Sequence, residues 1–99
     1  MPPQCQPFHS FDMLKLRVHN KPFNEYTDID KYLVVPKKLW EDFQPGESQL
    51  TLKGIKSKVR IYDIPCECIG SMHNHRLIDL REEFKKIGLK DNEEIEIGK

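Results

Sequence analysis

The chain has no excess of either charge. Sixteen Lys and Arg balance sixteen Asp and Glu over 99 residues, so no molecule-wide field draws it to nucleic acid or to an anionic membrane, and any such binding must come from a local patch. Eighteen apolar residues never run together, so no segment reads as a membrane-spanning helix. Glycine is scarce, and none of it builds a phosphate cradle: Gly54-x-Lys56-Ser57 lacks the upstream glycine of a P-loop. Gly70-Ser71 is not a nucleophile elbow. The three cysteines, Cys5, Cys66 and Cys68, cannot all pair within one chain, and Cys66 and Cys68 are too close for a relaxed bridge in an extended segment. The opening Met1 to Pro7 lacks a charged n-region and an apolar h-region. The expectation is a cytoplasmic protein with no export signal and no membrane partner.

What is present is ordinary globular composition, 37% hydrophobic and 32% charged, enough to fold and enough for one core. Residues 1–9 read as a flexible, proline-rich tail, and residues 10–99 as a single small domain. From Asp12 to Val18 the apolar Leu14, Leu16 and Val18 alternate with Lys15 and Arg17, the period of a half-buried strand. Thr27 or Asp28 could cap a short turn before Tyr32 to Val35 runs as a buried strand. Pro36 suits the first turn of a helix reaching Phe43, with Leu39, Trp40 and Phe43 at helical spacing, and Pro45-Gly46 stops it.

Gln49 to Lys53 and Lys58 to Tyr62 read as a hairpin around Gly54, with Leu50 and Leu52 facing Val59 and Ile61. Asp63-Ile64-Pro65 reads as a turn, Cys66 to Ile69 as a short strand, and Gly70 to His75 as a polar loop. Then come a strand from Arg76 to Ile78, a helix from Leu80 to Ile87 capped by Asp79 and ended by Gly88, and a strand from Glu93 to Ile97.

Two stretches echo each other. Val35-Pro36-Lys37-Lys38-Leu39-Trp40-Glu41-Asp42-Phe43 with Pro45-Gly46-Glu47 and Leu50-Thr51-Leu52 matches, loosely, Ile78-Asp79-Leu80-Arg81-Glu82-Glu83-Phe84-Lys85-Lys86-Ile87-Gly88 with Ile95-Glu96-Ile97. Each reads as strand, two helical turns, turn and alternating strand. The fold class expected is therefore mostly β with two short helices (α+β), a small closed or partly closed β-barrel built from two related strand-helix-strand halves.

The first stretch resembles the strand, proline, short helix and Pro-Gly-acid turn of the AbrB/SpoVT swapped-hairpin proteins, within the wider cradle-loop barrels. Ile87-Gly88-Leu89-Lys90-Asp91-Asn92-Glu93-Glu94-Ile95 resembles the matching leucine-glycine-turn-strand element, with Asn92 where glycine is expected; Asn tolerates the left-handed conformation. The resemblance covers about a third of the chain. It implies that both halves of a barrel sit in one chain, so that the protein is a monomer or weak homodimer. It also implies a transcription-regulator-like DNA contact through Lys37 and Lys38 in the first copy and Arg81 in the second.

An independent pointer to nucleic acid is Lys53-Gly54-Ile55-Lys56-Ser57-Lys58-Val59-Arg60, four cations without an acid. On a hairpin, Lys58 and Arg60 would share a face and Lys56 the tip, within reach of successive phosphates. The competing reading is a solvated hairpin whose lysines protect an edge from pairing. Asp91, Glu93, Glu94 and Glu96 form an acidic patch, expected opposite, and a dipolar surface of this kind equally serves docking to another protein.

Cys66-x-Cys68-x4-His73-x-His75 places four potential zinc ligands within ten positions. In a strand the two thiols share a face, and a flexible Gly70-Ser71 link could return a histidine to complete a tetrahedral set. Against this, a one-residue spacing strains two sulfurs on one metal, and cysteine is often simply buried. A Cys/His nucleophile drawn from the same segment lacks an orienting third group and an oxyanion hole. The aromatic residues read as core rather than as a base-stacking platform. The function expected is a non-catalytic binding module, either nucleic-acid-binding through Lys37, Lys38, Lys53, Lys56, Lys58 and Arg60, or a protein-interaction or small-ligand/metal-binding domain holding zinc through Cys66, Cys68, His73 and His75.

Overall fold

A computed structural model describes residues 14–67 and 70–99. The start of the first expected strand, at residues 12 and 13, lies outside the described residues, as do Cys5, Phe8, Phe11 and Cys68. Among the described residues, seven strands form one antiparallel sheet: β1 (Leu14–Arg17), β2 (His19–Asn20), β3 (Lys31–Val35), β4 (Gly46–Leu52), β5 (Ile55–Cys66), β6 (His73–Asp79) and β7 (Glu94–Gly98). Their order across the sheet is β1-β7-β4-β5-β6-β3-β2.

That order is not a closed ladder, yet its two ends are neighbours in the chain. Only Val18 separates β1 from β2. Val18 donates its N–H to the Glu93 carbonyl at 2.7 Å and accepts from the Asn92 N–H at 2.8 Å, while His19 and Asn20 pair with Tyr32 and Lys31 of β3. One short stretch thus serves both margins of the sheet. The left-handed turn that makes this possible is at Asn92, whose φ is 68°.

Among the described residues, two short helices interrupt the strands. Pro36 (φ −59°, ψ 142°) leads into a 3-10 helix, Lys37–Asp42, where an α-helix was expected. Its bonds run three residues back, Leu39 to Pro36 at 2.9 Å and Phe43 to Trp40 at 3.2 Å. So short a segment gains little from α geometry, and the tighter winding leaves fewer orphan carbonyls. The second helix, α1 (Glu83–Ile87), starts later than Leu80 because residues 80–82 form the turn that Asp79 organises, its carboxylate accepting the Arg81 N–H at 3.0 Å. Gly88 ends it at φ 77°, the left-handed cap that the sequence promised.

The β4–β5 hairpin is longer than expected. Its turn is Lys53-Gly54 alone, with φ of 52° and 81°, both in the left-handed region that two-residue hairpins use. Lys56 therefore stands not at the tip but on β5. The expected turn at Asp63-Ile64-Pro65 is absent: β5 runs through it and pairs Asp63 with Arg76, Ile64 with His75 and Cys66 with His73. Pro65 is tolerated because β4 has already ended opposite Ile61, so the side that lacks an N–H faces no strand among the described residues. Its carbonyl on that side accepts from Asn24 Nδ2 at 2.8 Å. The polar loop expected over Gly70 to His75 is shortened likewise, since His73, Asn74 and His75 belong to β6.

The main core gathers Val18, Leu33, Leu50, Leu52, Ile61, Ile78, Leu80, Ile95 and Ile97, all fully buried, with Trp40, Phe84 and Ile87 against its rim. A second cluster, Ile29, Tyr32, Ile64 and Leu77 with Phe23, Val34 and Tyr62 packed on it, covers the opposite face of β3, β5 and β6. The β2–β3 connection folds over that face. Tyr26 departs from the core reading of the aromatics and is 44% exposed.

Candidate functional site

The second cluster leads along β5 and β6 to three chemically capable side chains. Residues on one face of paired strands alternate, so Cys66 and Ile64 of β5 share a face with His73, His75 and Leu77 of β6. Beyond the apolar Ile64 and Leu77, that face ends in Cys66, His73 and His75. Their candidate ligand atoms lie within 4.8 Å of one another. Cys66 is buried and both histidines are half-buried.

The histidine pair has a defined orientation. His73 Nδ1 lies 2.9 Å from the Ser71 carbonyl, which can only accept, so the proton sits on Nδ1 and the lone pair of Nε2 points elsewhere. It points to His75: the two Nε2 atoms are 3.0 Å apart and the rings meet at 69°. In a tetrahedron with metal–nitrogen bonds of about 2.0–2.1 Å, two nitrogens stand about 3.4 Å apart. The observed spacing is close to that edge. A backbone carbonyl holding the far nitrogen of a ligand histidine is the usual orienting contact of metal sites. Phe23 packs edge-on to His75 at 5.5 Å. Burial, and then the neighbouring His73, hold the His75 imidazole below its ordinary pKa, which favours the neutral form that binds metal.

The β2–β3 connection is tied to this end of the hairpin. Asn24 donates to the Pro65 carbonyl, Tyr26 Oη lies 2.7 Å from Glu67 Oε1, and Phe23 packs on His75 and Tyr32. Of the four ligands expected from the sequence, Cys66, His73 and His75 converge, and Cys68 lies outside the described residues. The histidines reach the thiol by strand register and not by return of a loop.

The six cations expected to contact nucleic acid do not form one surface. Lys56, Lys58 and Arg60 project from β5 into an open groove of about 680 Å³ beside α1, together with Glu47, Asp79, Glu82 and Glu83. Lys53, at the hairpin turn, is held 2.7 Å from Glu93, so the acidic stretch expected opposite the hairpin touches it. Pairing of Leu52 with Ile97 brings the two turns together. Arg60 approaches Glu47 at 3.8 Å. Lys37 and Lys38 are exposed on the 3-10 helix and do not line this groove; the Lys37 ammonium lies 6.0 Å from the Trp40 ring. Arg81 is held by Asp79, with contacts of 2.9–3.2 Å, and by Asp28 at 3.4 Å.

Sequence reasoning missed a buried cation. Arg76 reaches Asp63 with two bonds, Nε to Oδ1 at 2.7 Å and Nη2 to Oδ2 at 3.0 Å, donates to the Trp40 carbonyl at 2.9 Å, and lies 4.4 Å from the Trp40 ring. Only the β5–β6 register, broken in the sequence by an apparent turn, could have paired the two. No protein-family model, curated protein or solved structure matches the chain.

Proposed function

We propose that the chain is a non-catalytic metal-binding domain that holds zinc through Cys66 Sγ, His73 Nε2 and His75 Nε2. The observation that carries this reading is the convergence of one thiol and two imidazoles within 4.8 Å, on two paired strands. The donor set decides the metal class: one sulfur and two nitrogens suit a borderline ion with tetrahedral preference, whereas magnesium and calcium take oxygen. Three ligands leave one position of the tetrahedron to a further donor or to water.

The same reading takes the sheet as a small, partly closed barrel of two related halves, β3 to β4 through the 3-10 helix and β6 to β7 through α1. Pairing of β3 with β6 and of β4 with β7 supports it, because equivalent strands of halves related by a twofold axis meet each other. The nucleic-acid reading implied by the AbrB/SpoVT resemblance has less support. Lys53 and Arg60 face acids, and Lys37 and Lys38 stand apart from the groove. It requires an oligonucleotide shift at low ionic strength, where the phosphate contribution is largest.

Elemental analysis of chain stripped by chelator, reloaded with zinc and dialysed tests the metal reading. The expected result is one zinc per chain, with Cys66→Ser and His75→Asn each weakening affinity by about 100-fold or more. Equal zinc retention by the wild type and both variants would refute it.

A further inference from the structure

Among the described residues, β5 leaves part of one edge without a strand, and a helix stands beside it. Its ladder with β6 begins at Arg60 and Asp79, so residues 55–59 have β4 on one side and, among the described residues, no strand on the other. Register fixes which backbone groups face the gap. In a two-residue hairpin the closing pair, here Leu52 and Ile55, exchanges both hydrogen bonds. Ser57, Val59 and Ile61 therefore direct their N–H and C=O groups to β4, and Lys56, Lys58 and Arg60 direct theirs the other way. Pro65, of the same parity as Ser57, checks this alternation, since its carbonyl faces Asn24 and not β6. Arg60 meets Asp79. The backbone of Lys56 and Lys58 meets no partner among the described residues.

Across the gap, Glu83, Lys86 and Ile87 of α1 form the other wall of the 680 Å³ groove, facing Lys56, Lys58 and Val59. That volume falls within the range of about 300–1,000 Å³ usual for ligand sites. The charges around it are unevenly spent. Arg60 is paired with Glu47 and Arg81 with Asp79, whereas Lys56, Lys58 and Lys86 have no ion-pair partner among the described residues. Against these three lysines stand Glu82 and the buried Glu83, and burial raises the pKa of the Glu83 carboxyl.

We propose that this groove takes an extended acidic peptide segment of a partner protein, which adds as a strand to the β5 edge at Lys56 and Lys58. An added strand supplies in its plane both the acceptors and the donors that the two residues need. A nucleic acid backbone offers its phosphates only as acceptors and would leave the Lys56 and Lys58 carbonyls unmet. Peptide residues opposite the two lysines lie on the lysine face, where Asp or Glu makes a favourable cross-strand pair. The residue between them turns to the other face, towards Val59 and Ile87, and is apolar. The recognised pattern is thus acid, apolar, acid, and its binding weakens with salt.

The test titrates the whole chain with a synthetic pentapeptide alternating Glu and Val, following backbone amide resonances. The comparison arms are its Lys–Val counterpart, a copy N-methylated at the alternate residues facing β5, and a single-stranded oligonucleotide. The Glu–Val peptide should shift residues 56–59 and α1, and the Lys–Val peptide should not. N-methylation should weaken binding about tenfold or more, because it removes edge hydrogen bonds without touching the protein. Lys56→Glu with Lys58→Glu should weaken it by a similar factor. Absence of shifts at 56–59, indifference to N-methylation, or an oligonucleotide that binds the same residues more tightly would each overturn the proposal.

Discussion

Arg76 and Glu83 are the two buried side chains whose charge matters most to the described structure. Arg76 closes the 3-10 helix by taking the Trp40 carbonyl, and its guanidinium is matched by Asp63. Arg76→Ala would leave the solvent-exposed Asp63 without its partner and take one of two donors from the Trp40 carbonyl, so it should cost about 1–2 kcal/mol in denaturant unfolding. Arg76→Lys should recover only part of this, because an ammonium cannot make the two-point contact with Asp63. Glu83 acts in the opposite sense. Its carboxyl, buried at 6% exposure, is raised above its ordinary pKa chiefly by desolvation. A raised folded pKa means that the contribution to stability is full below the unfolded value of about 4.3 and is lost as pH rises through the folded value. Glu83→Gln should therefore raise the melting temperature at pH 7 and leave it nearly unchanged at pH 3, as thermal scans across that range would show. The sequence marked Cys66, His73 and His75 by chemistry alone. It could not mark Arg76, because nothing local distinguishes a buried arginine until a partner strand is in register.

At the scale of elements, most strands were legible because their apolar residues alternate, as Leu14, Leu16 and Val18 do, or run together, as Tyr32 to Val35 do. The failures share one physical cause. Asp63-Ile64-Pro65 has the local chemistry of a turn, but a strand tolerates proline wherever its N–H side faces no neighbour, and that condition depends on where β4 ends. Missing the continuation of β5 also hid the start of β6, and with it the placing of Cys66 opposite His73. The hairpin turn carries its own prediction. Gly54 has φ 81°, and a methyl group added there would meet nothing within 4 Å, so Gly54→Ala suffers only the backbone penalty. It should cost about 1–2 kcal/mol, with no loss of core packing. Lys53→Asn, at φ 52°, should be neutral or slightly stabilising, since asparagine accepts that conformation more readily, provided that loss of the Glu93 contact is small at this exposed site. Chemical denaturation of the two variants checks both.

For the whole molecule, the stretch from Leu14 to Asn20 is the seam. Val18 is fully buried and bonds by its backbone to the turn before β7, while the residues on either side serve opposite ends of the sheet order. Val18→Ala should cost about 2 kcal/mol, and it should lower one cooperative transition rather than split it, because both margins depend on the same residue. The sequence showed two similar stretches by composition, whereas the pairing of β3 with β6 and of β4 with β7 became visible only at long range.

The most direct measurement of the metal reading is a cobalt(II) titration of the chelator-stripped chain, followed by visible absorption. The account predicts saturation at one ion per chain, intense ligand-field bands of a four-coordinate site and a thiolate charge-transfer band that disappears in Cys66→Ser. Binding should weaken as the solution is made acid, because protons compete with the metal for its ligand atoms. A titration showing only the weak bands of hexaaqua cobalt, identical in the wild type and Cys66→Ser, would contradict it.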